Sequence, residues 1–286
     1  MRVLFAGLPA TGKSTFLFAL YHLLDSGEVA DSLRLASLSE DRAYINDKIE
    51  AWLSYKETER TSSDNEAEIE MTLLADDKDI VLHIPDLAGE HFERCLTERQ
   101  WSQQLGDDVR ACNGVLLFMH SQELTKAMGI NQLSDTVEAL SDTDEPERIA
   151  PFLYEKSPTQ ILLVDLLQLL HDARGGEPFK VALIVSAYDL VTNPKFEPAD
   201  KPRALSPAAW LEAEMPLLAQ YLKSTFADAN LRIYGVSAQG GDLTNPEDKT
   251  RLENTVDASE RVWVLEGERQ HADLSAPIRW LTELEG

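Results

Sequence analysis

The stretch Gly7-Leu8-Pro9-Ala10-Thr11-Gly12-Lys13-Ser14 constrains this chain more than any other. It stands between an apolar run, Val3–Ala6, and a segment, Thr15–Leu24, whose apolar positions suit a packed helix. Strand, glycine-bearing turn and helix in that order match the G-x-x-x-x-G-K-[ST] template at every fixed position. Small residues allow successive backbone N–H groups to converge on phosphate oxygens, and the following helix aims its positive end at the same charge. Gly7, Ala10, Thr11, Gly12, Lys13, Ser14 and Thr15 are therefore the expected phosphate-binding set. Lys13 is expected to reach the β- and γ-phosphates, and the Ser14 hydroxyl to ligate Mg²⁺.

The rest of the chain alternates strands with helices. Spaced apolar positions at Tyr44, Ile45, Ile49, Trp52 and Leu53 predict an amphipathic helix within 38–58. The runs AEIEMTLLA and KDIVLHIPD predict a β-hairpin. Residues 90–110 read as helical and 113–120 as a buried strand. A long excursion over 121–176 carries expected helices at 131–140 and 158–172. FKVALIVS and LRIYGVS supply two more core strands around a helix at 207–227, and Pro277 suits the start of a final helix. The alternation implies an α/β fold of the P-loop NTPase type: a mostly parallel sheet with helices on both faces, and a helical insertion over 121–176. Ligands are expected at the carboxyl ends of the strands. The whole chain, 1–286, reads as one domain of this kind.

At one of those strand ends, Asp86 closes the run IVLHIPD and is followed three residues on by Gly89. An acidic group there meets the demand for a second carboxylate near the metal, and the Gly89 N–H can register a γ-phosphate. Composition narrows the partners. With 50 acidic against 26 basic residues the formal net charge is -24, which repels nucleic acid and anionic membrane. The tryptophans are too dispersed for a base-stacking platform. Two cysteines, Cys95 and Cys112, lack disulfide-framework or metal-site spacing and read as buried small hydrophobes. With no signal-peptide pattern and no apolar run approaching about eighteen residues, a cytoplasmic protein without membrane insertion is expected.

Four segments now stand in order: Gly7–Ser14, Asp86-Leu87-Ala88-Gly89, Ser186-Ala187-Tyr188-Asp189 and Ser237-Ala238-Gln239. Together they resemble the Ras-like, or translation-factor-related, branch of P-loop GTPases. The resemblance implies that Asp86 is linked to Mg²⁺ and that Gly89 sits in a switch loop. It places a switch threonine before the hairpin, where Thr58, Thr61 and Ser62 stand and Thr61 is favoured by position. It makes Asp189 the reader of guanine N1–H and amino group, with Ser237 and Ala238 beside the guanine carbonyl. The family's NKxD keeps only its aspartate here, and its SAK loop lacks the lysine. Where relatives such as Ras carry a water-orienting glutamine, this chain has Glu90 followed by His91. A carboxylate there is electrostatically unfavourable beside a γ-phosphate, so slow hydrolysis is expected.

The chain is also similar to bacterial double-GTPase-like families linked to conflict or antiviral defence gene clusters. That similarity implies a protein effector or activating partner, with the 121–176 insertion as its docking surface. The expected activity is a Mg²⁺-dependent guanine-nucleotide switch with GTP and GDP as ligands. Two other readings stay open: an interaction module that holds nucleotide without turnover, and an ATP-using P-loop enzyme.

Overall fold

The computed structural model describes residues 1–30, 33–38, 42–55, 69–75, 78–85, 90–126, 154–192 and 206–283. Among them, nine strands form one sheet: β1 (Arg2–Gly7), β2 (Arg34–Leu38), β3 (Ile69–Ala75), β4 (Lys78–Ile84), β5 (Gly114–His120), β6 (Lys180–Ser186), β7 (Leu231–Ser237), β8 (Trp263–Glu266) and β9 (Arg269–His271). Their order across the sheet is β2-β3-β4-β1-β5-β6-β7-β8-β9. The pairings β4–β1, β1–β5, β5–β6 and β6–β7 are parallel. Both edges are antiparallel, β2–β3–β4 on one side and β7–β8–β9 on the other, with hairpins at β3–β4 and β8–β9. The expected mostly parallel sheet therefore holds for the five central strands only. The two-residue connections β3–β4 and β8–β9 allow only antiparallel neighbours, since a parallel return needs a crossover.

Strand β1 lies between β4 and β5. From β1 the chain runs to the sheet edge at β2, returns inward through β3 and β4, and then crosses to β5 on the other side of β1, so the turn after Gly7 opens where the strand order changes direction. Alternate residues of β1 face opposite layers, as strand geometry requires. Val3 and Phe5 join Phe16, Leu20 and Trp52 in one core, while Leu4 and Ala6 join Val109, Leu163 and Leu167 in the other. The first core is covered by α1 (Lys13–Ser26), α2 (Arg42–Leu53) and, near the chain's end, a helix over Ala276–Leu281. The second is covered by α3 (Glu90–Glu98), α4 (Gln103–Ala111) and α5 (Thr159–Ala173), with α6 (Asp189–Thr192) following β6. Next come α7 (Pro207–Glu214), α8 (Pro216–Thr225) and α9 (Pro246–Glu253), and the Ala276–Leu281 helix is α10.

Several boundaries differ from expectation for identifiable reasons. The helix expected over 90–110 is two helices: Arg99 adopts a left-handed φ of 55°, and the Ser102 side chain caps α4 by accepting from the Leu105 N–H. The helix expected over 207–227 breaks at Met215, because Pro216 has no N–H to continue it. Strands β2 and β9 and helix α9 lie in segments too short or polar to announce themselves. The expected helix at 131–140 lies outside the described residues. Leu162, Leu163, Leu166, Leu167 and Leu170 of α5 are buried at helical spacing, which makes that leucine-rich segment a core helix. Among the described residues, no helix is long and apolar enough to cross a membrane. Both cysteines are buried.

Candidate functional site

The turn after β1 is held by its own side chains. The Lys13 ammonium, almost wholly buried, donates to the carbonyls of Gly7 at 2.9 Å and Leu8 at 2.8 Å. Those oxygens solvate a cation that water no longer reaches. The Thr11 hydroxyl also donates to Leu8 O, at 2.8 Å. Gly12, at φ 84° and ψ 10°, is the N-cap of α1 and turns the chain from strand into helix. A Cβ at Gly12 would lie 2.7 Å from the Ser186 Oγ, so only glycine fits both the backbone angle and the space. The start of α1 thus carries Lys13, Ser14 and Thr15 at the positive end of a 14-residue helix.

Ser186 ends β6, and its hydroxyl donates to the Thr11 carbonyl at 2.8 Å. A serine where the family has asparagine thus ties the strand to the turn. Ala187 follows in a left-handed conformation, φ 49°, and its carbonyl accepts from the Ser121 hydroxyl at 2.7 Å. Asp189 then opens α6. Its carboxylate accepts a hydrogen bond from Ser237 at the end of β7, and burial, the largest influence, still pushes its pKa up. The Ser237 Oγ also accepts from the Gly240 N–H at 3.0 Å, so one buried hydroxyl links Asp189 to the loop after β7.

These strand ends enclose a cavity of about 480 Å³. Gly12, Thr15 and Phe16 wall one side, Ser186, Ala187 and Asp189 another, and Ala238, Gln239 and the 241–244 segment a third. His120, at the end of β5, also lines it. The His120 Nδ1 accepts from the N–H groups of Gln122 and Glu123, both at 3.1 Å. Burial lowers its pKa, and in the neutral ring the proton then sits on Nε2. Neither His120 nor the 241–244 segment is part of the sequence expectation. His120 was findable, since it is polar and stands at the carboxyl end of a strand adjoining β1.

Of the other expected residues, Glu90 and His91 form the first turn of α3, where an acidic side chain is favourable whatever its function. Glu90 is exposed, and neither residue lines the cavity. Thr61, with its neighbours Thr58 and Ser62, lies outside the described residues, as do Asp86 and Gly89. Among the described residues no three His, Cys, Asp or Glu side chains converge as a metal cage. A hard cation that takes most of its ligands from phosphate and water needs from the chain only a hydroxyl, which Ser14 at the start of α1 supplies, and a carboxylate, the part expected of Asp86. The cavity as built can take a polyphosphate at the turn and a ring with N–H donors against Asp189.

The model of one protein family, Double-GTPase 1, matches residues 4–281, nearly the full length. The chain belongs to the Double-GTPase 1 family. The resemblance to P-loop GTPases read from the four motifs is thereby borne out. Among solved structures, this Double-GTPase 1 chain is similar to the GTPase-like domain of Ski7 from S. cerevisiae, bound to GTP, at 13% identity and a TM-score of 0.42. It is also similar to Sup35 complexed with GDP, at 11% identity and a TM-score of 0.37. The matches cover 91% and 84% of this chain, but only 51% of the Ski7 chain and 38% of the Sup35 chain. No curated protein sequence matches this Double-GTPase 1 chain significantly.

Proposed function

We propose that the protein is a cytoplasmic, Mg²⁺-dependent guanine-nucleotide switch that hydrolyses GTP slowly and acts through protein partners. One observation carries this reading: Gly12 of the glycine turn, Thr15 at the start of α1 and Asp189 bound the same cleft, and the turn is tied to the strand before Asp189 by the Ser186–Thr11 hydrogen bond of 2.8 Å. In this assignment Lys13 and the N–H groups of Ala10 to Thr15 hold the phosphates. Ser14 and Asp86 hold Mg²⁺, which neutralises charge on the phosphate oxygens. Asp189 accepts from N1–H and the amino group of guanine, and Ala238 offers a backbone N–H to the guanine carbonyl. Adenine presents the opposite polarity at both edges. Thr61 and Gly89 respond to the γ-phosphate, and their movement presents or withdraws a surface for an effector on a single GTPase-like domain with its 121–176 insertion.

Hydrolysis is slow in this reading because Glu90 replaces a neutral water-orienting group with a carboxylate that the γ-phosphate repels. His91 or a residue from a partner completes the site. The exposure of Glu90 at the start of α3 equally suits a chain that holds nucleotide without turnover, and a multiple-turnover assay separates the two.

Calorimetric titration with Mg²⁺-GDP and Mg²⁺-ADP tests the assignment. GDP is expected to bind at least about tenfold tighter than ADP, a difference of about 1.4 kcal/mol. Lys13→Ala should weaken both nucleotides, because phosphate contacts are common to them, whereas Asp189→Asn should weaken GDP alone. Equal affinity for GDP and ADP would overturn the guanine assignment and favour an ATP-using enzyme.

A further inference from the structure

Three successive carbonyls of the loop after β7 are each held by a side chain from elsewhere. The Ala238 carbonyl accepts from the Trp52 Nε1–H at 3.0 Å, the Gln239 carbonyl from Arg261 at 3.4 Å, and the Gly240 carbonyl from Arg251 at 2.7 Å. Trp52 belongs to α2, and Arg251 to α9. Arg261 precedes β8. The Arg261 guanidinium lies 3.9 Å from the Trp52 ring centroid and 4.7 Å from that of Tyr55, and it also donates to the Trp52 carbonyl at 3.3 Å. Trp52 and Arg261 are both almost wholly buried. Burial lowers the arginine pKa to about 10, which leaves it a cation at neutral pH.

The stack is itself braced from the phosphate-binding helix. The His22 ring of α1 stands 5.6 Å from the Trp52 ring and pairs with Glu28 at 3.1 Å. The other Glu28 oxygen accepts from the Ser259 N–H at 2.8 Å, two residues before Arg261. Gly240 lies so close that a Cβ there would meet the Arg261 carbonyl at 2.7 Å. The loop is seated directly on this stack.

The carbonyl directions matter because a trans peptide points its C=O and the next N–H opposite ways. Holding the Ala238 carbonyl on Trp52 turns the Gln239 N–H away from Trp52. Holding the Gln239 carbonyl on Arg261 turns the Gly240 N–H away as well, and that N–H is found on the Ser237 Oγ. Ala238 and Gln239 line the cavity, whereas Trp52 and Arg261 do not. We propose that Trp52 and Arg261 are specificity-determining positioning residues: they hold the carbonyls of Ala238 and Gln239 off the cavity, so that the loop offers the base N–H donors and no carbonyl acceptor. A guanine carbonyl is satisfied by such a loop. The exocyclic amino group of adenine, at the same place on the ring, is refused. A loop free to turn its peptide over would accept adenine. The inference rests on the guanine-nucleotide reading of this site and adds what enforces the choice of base.

The test is calorimetric binding of Mg²⁺-GDP and Mg²⁺-ADP to the full chain, as wild type and as Trp52→Phe. Phenylalanine keeps a ring for Arg261 to stack on and removes only the Nε1–H. GDP affinity is expected to fall about tenfold, in line with loss of one buried hydrogen bond, while ADP affinity holds or rises. Arg261→Lys, which keeps the charge but not the reach to Gln239, should move the same ratio and serves if Trp52→Phe does not fold. A general softening of the site would lower both affinities together, and that result, or no change in either, overturns the positioning role. Wild type that binds GDP no better than ADP overturns the guanine reading itself.

Discussion

Gly12→Ala should be among the most damaging small substitutions in the protein, and its cost can be divided in two. The first part is conformational. At φ 84° an L-residue sits in the left-handed region, which costs about 1–2 kcal/mol. The second is steric. The new Cβ would stand 2.7 Å from the Ser186 Oγ and 2.9 Å from its Cβ, both inside contact distance. Relieving that overlap in a packed site costs roughly 1–3 kcal/mol. Ser186→Gly carries its own cost of about 1–3 kcal/mol, because the Thr11 carbonyl loses the hydrogen bond made at 2.8 Å. Combined, the two changes should cost less than their sum by about 1–3 kcal/mol, since removing the serine side chain removes the clash but leaves the backbone strain. Urea unfolding of the nucleotide-free wild type, both single variants and the double variant measures this coupling. Additivity to within about 0.5 kcal/mol would show that the turn moves away from β6 at little cost, and the steric argument would fail.

Protonating Asp189 removes the acceptor for guanine, so affinity for GDP should be full above its pKa and fall as pH drops through it. Because burial raises that pKa, the fall should begin above the pH at which an ordinary aspartate titrates. The ratio of wild-type to Asp189→Asn affinity across pH, in which phosphate titration cancels, reads this directly. The Ser237 hydrogen bond opposes the shift, so Ser237→Ala should move the midpoint to still higher pH and also loosen the Gly240 N–H. Cys112 should be inert to thiol reagents in the native protein and react after denaturation, since burial raises its pKa; timed thiol titration shows it.

What could be read from the chain was whatever local spacing decides. The turn from Gly7 to Ser14 announces itself because each fixed residue answers a local need: a backbone angle, a charge or a hydroxyl at a helix start. The central strands were legible for a related reason, as the uninterrupted apolar runs at Val3–Ala6 and in β6 leave no water-facing side. The edge strands β2 and β9 were not, because a short strand with one exposed side carries too little pattern. Trp52 was read as one apolar position of an amphipathic helix, which is correct and incomplete. That its indole N–H meets Ala238 depends on a contact 186 residues away in sequence, and no spacing rule reaches that far.

The departures from the family's base motif look different once the strand ends are seen together. Asparagine and lysine are absent at 186 and 187, yet Ser186 grips Thr11 and Ser237 grips Asp189. Each serine has too short a side chain to reach far, so each tie requires its strand end to stand close to its partner. The close approach of Gly12 to Ser186 is the same requirement seen from the turn. Under the proposed function, phosphate and base contacts then lie on one hydrogen-bonded frame running from Thr11 through β6 to Asp189, Ser237 and the loop beyond. On that frame the ties to the turn and to Asp189 are made by short serine side chains. Longer, softer residues at 186 or 237 would loosen those ties even where they preserve a hydrogen bond.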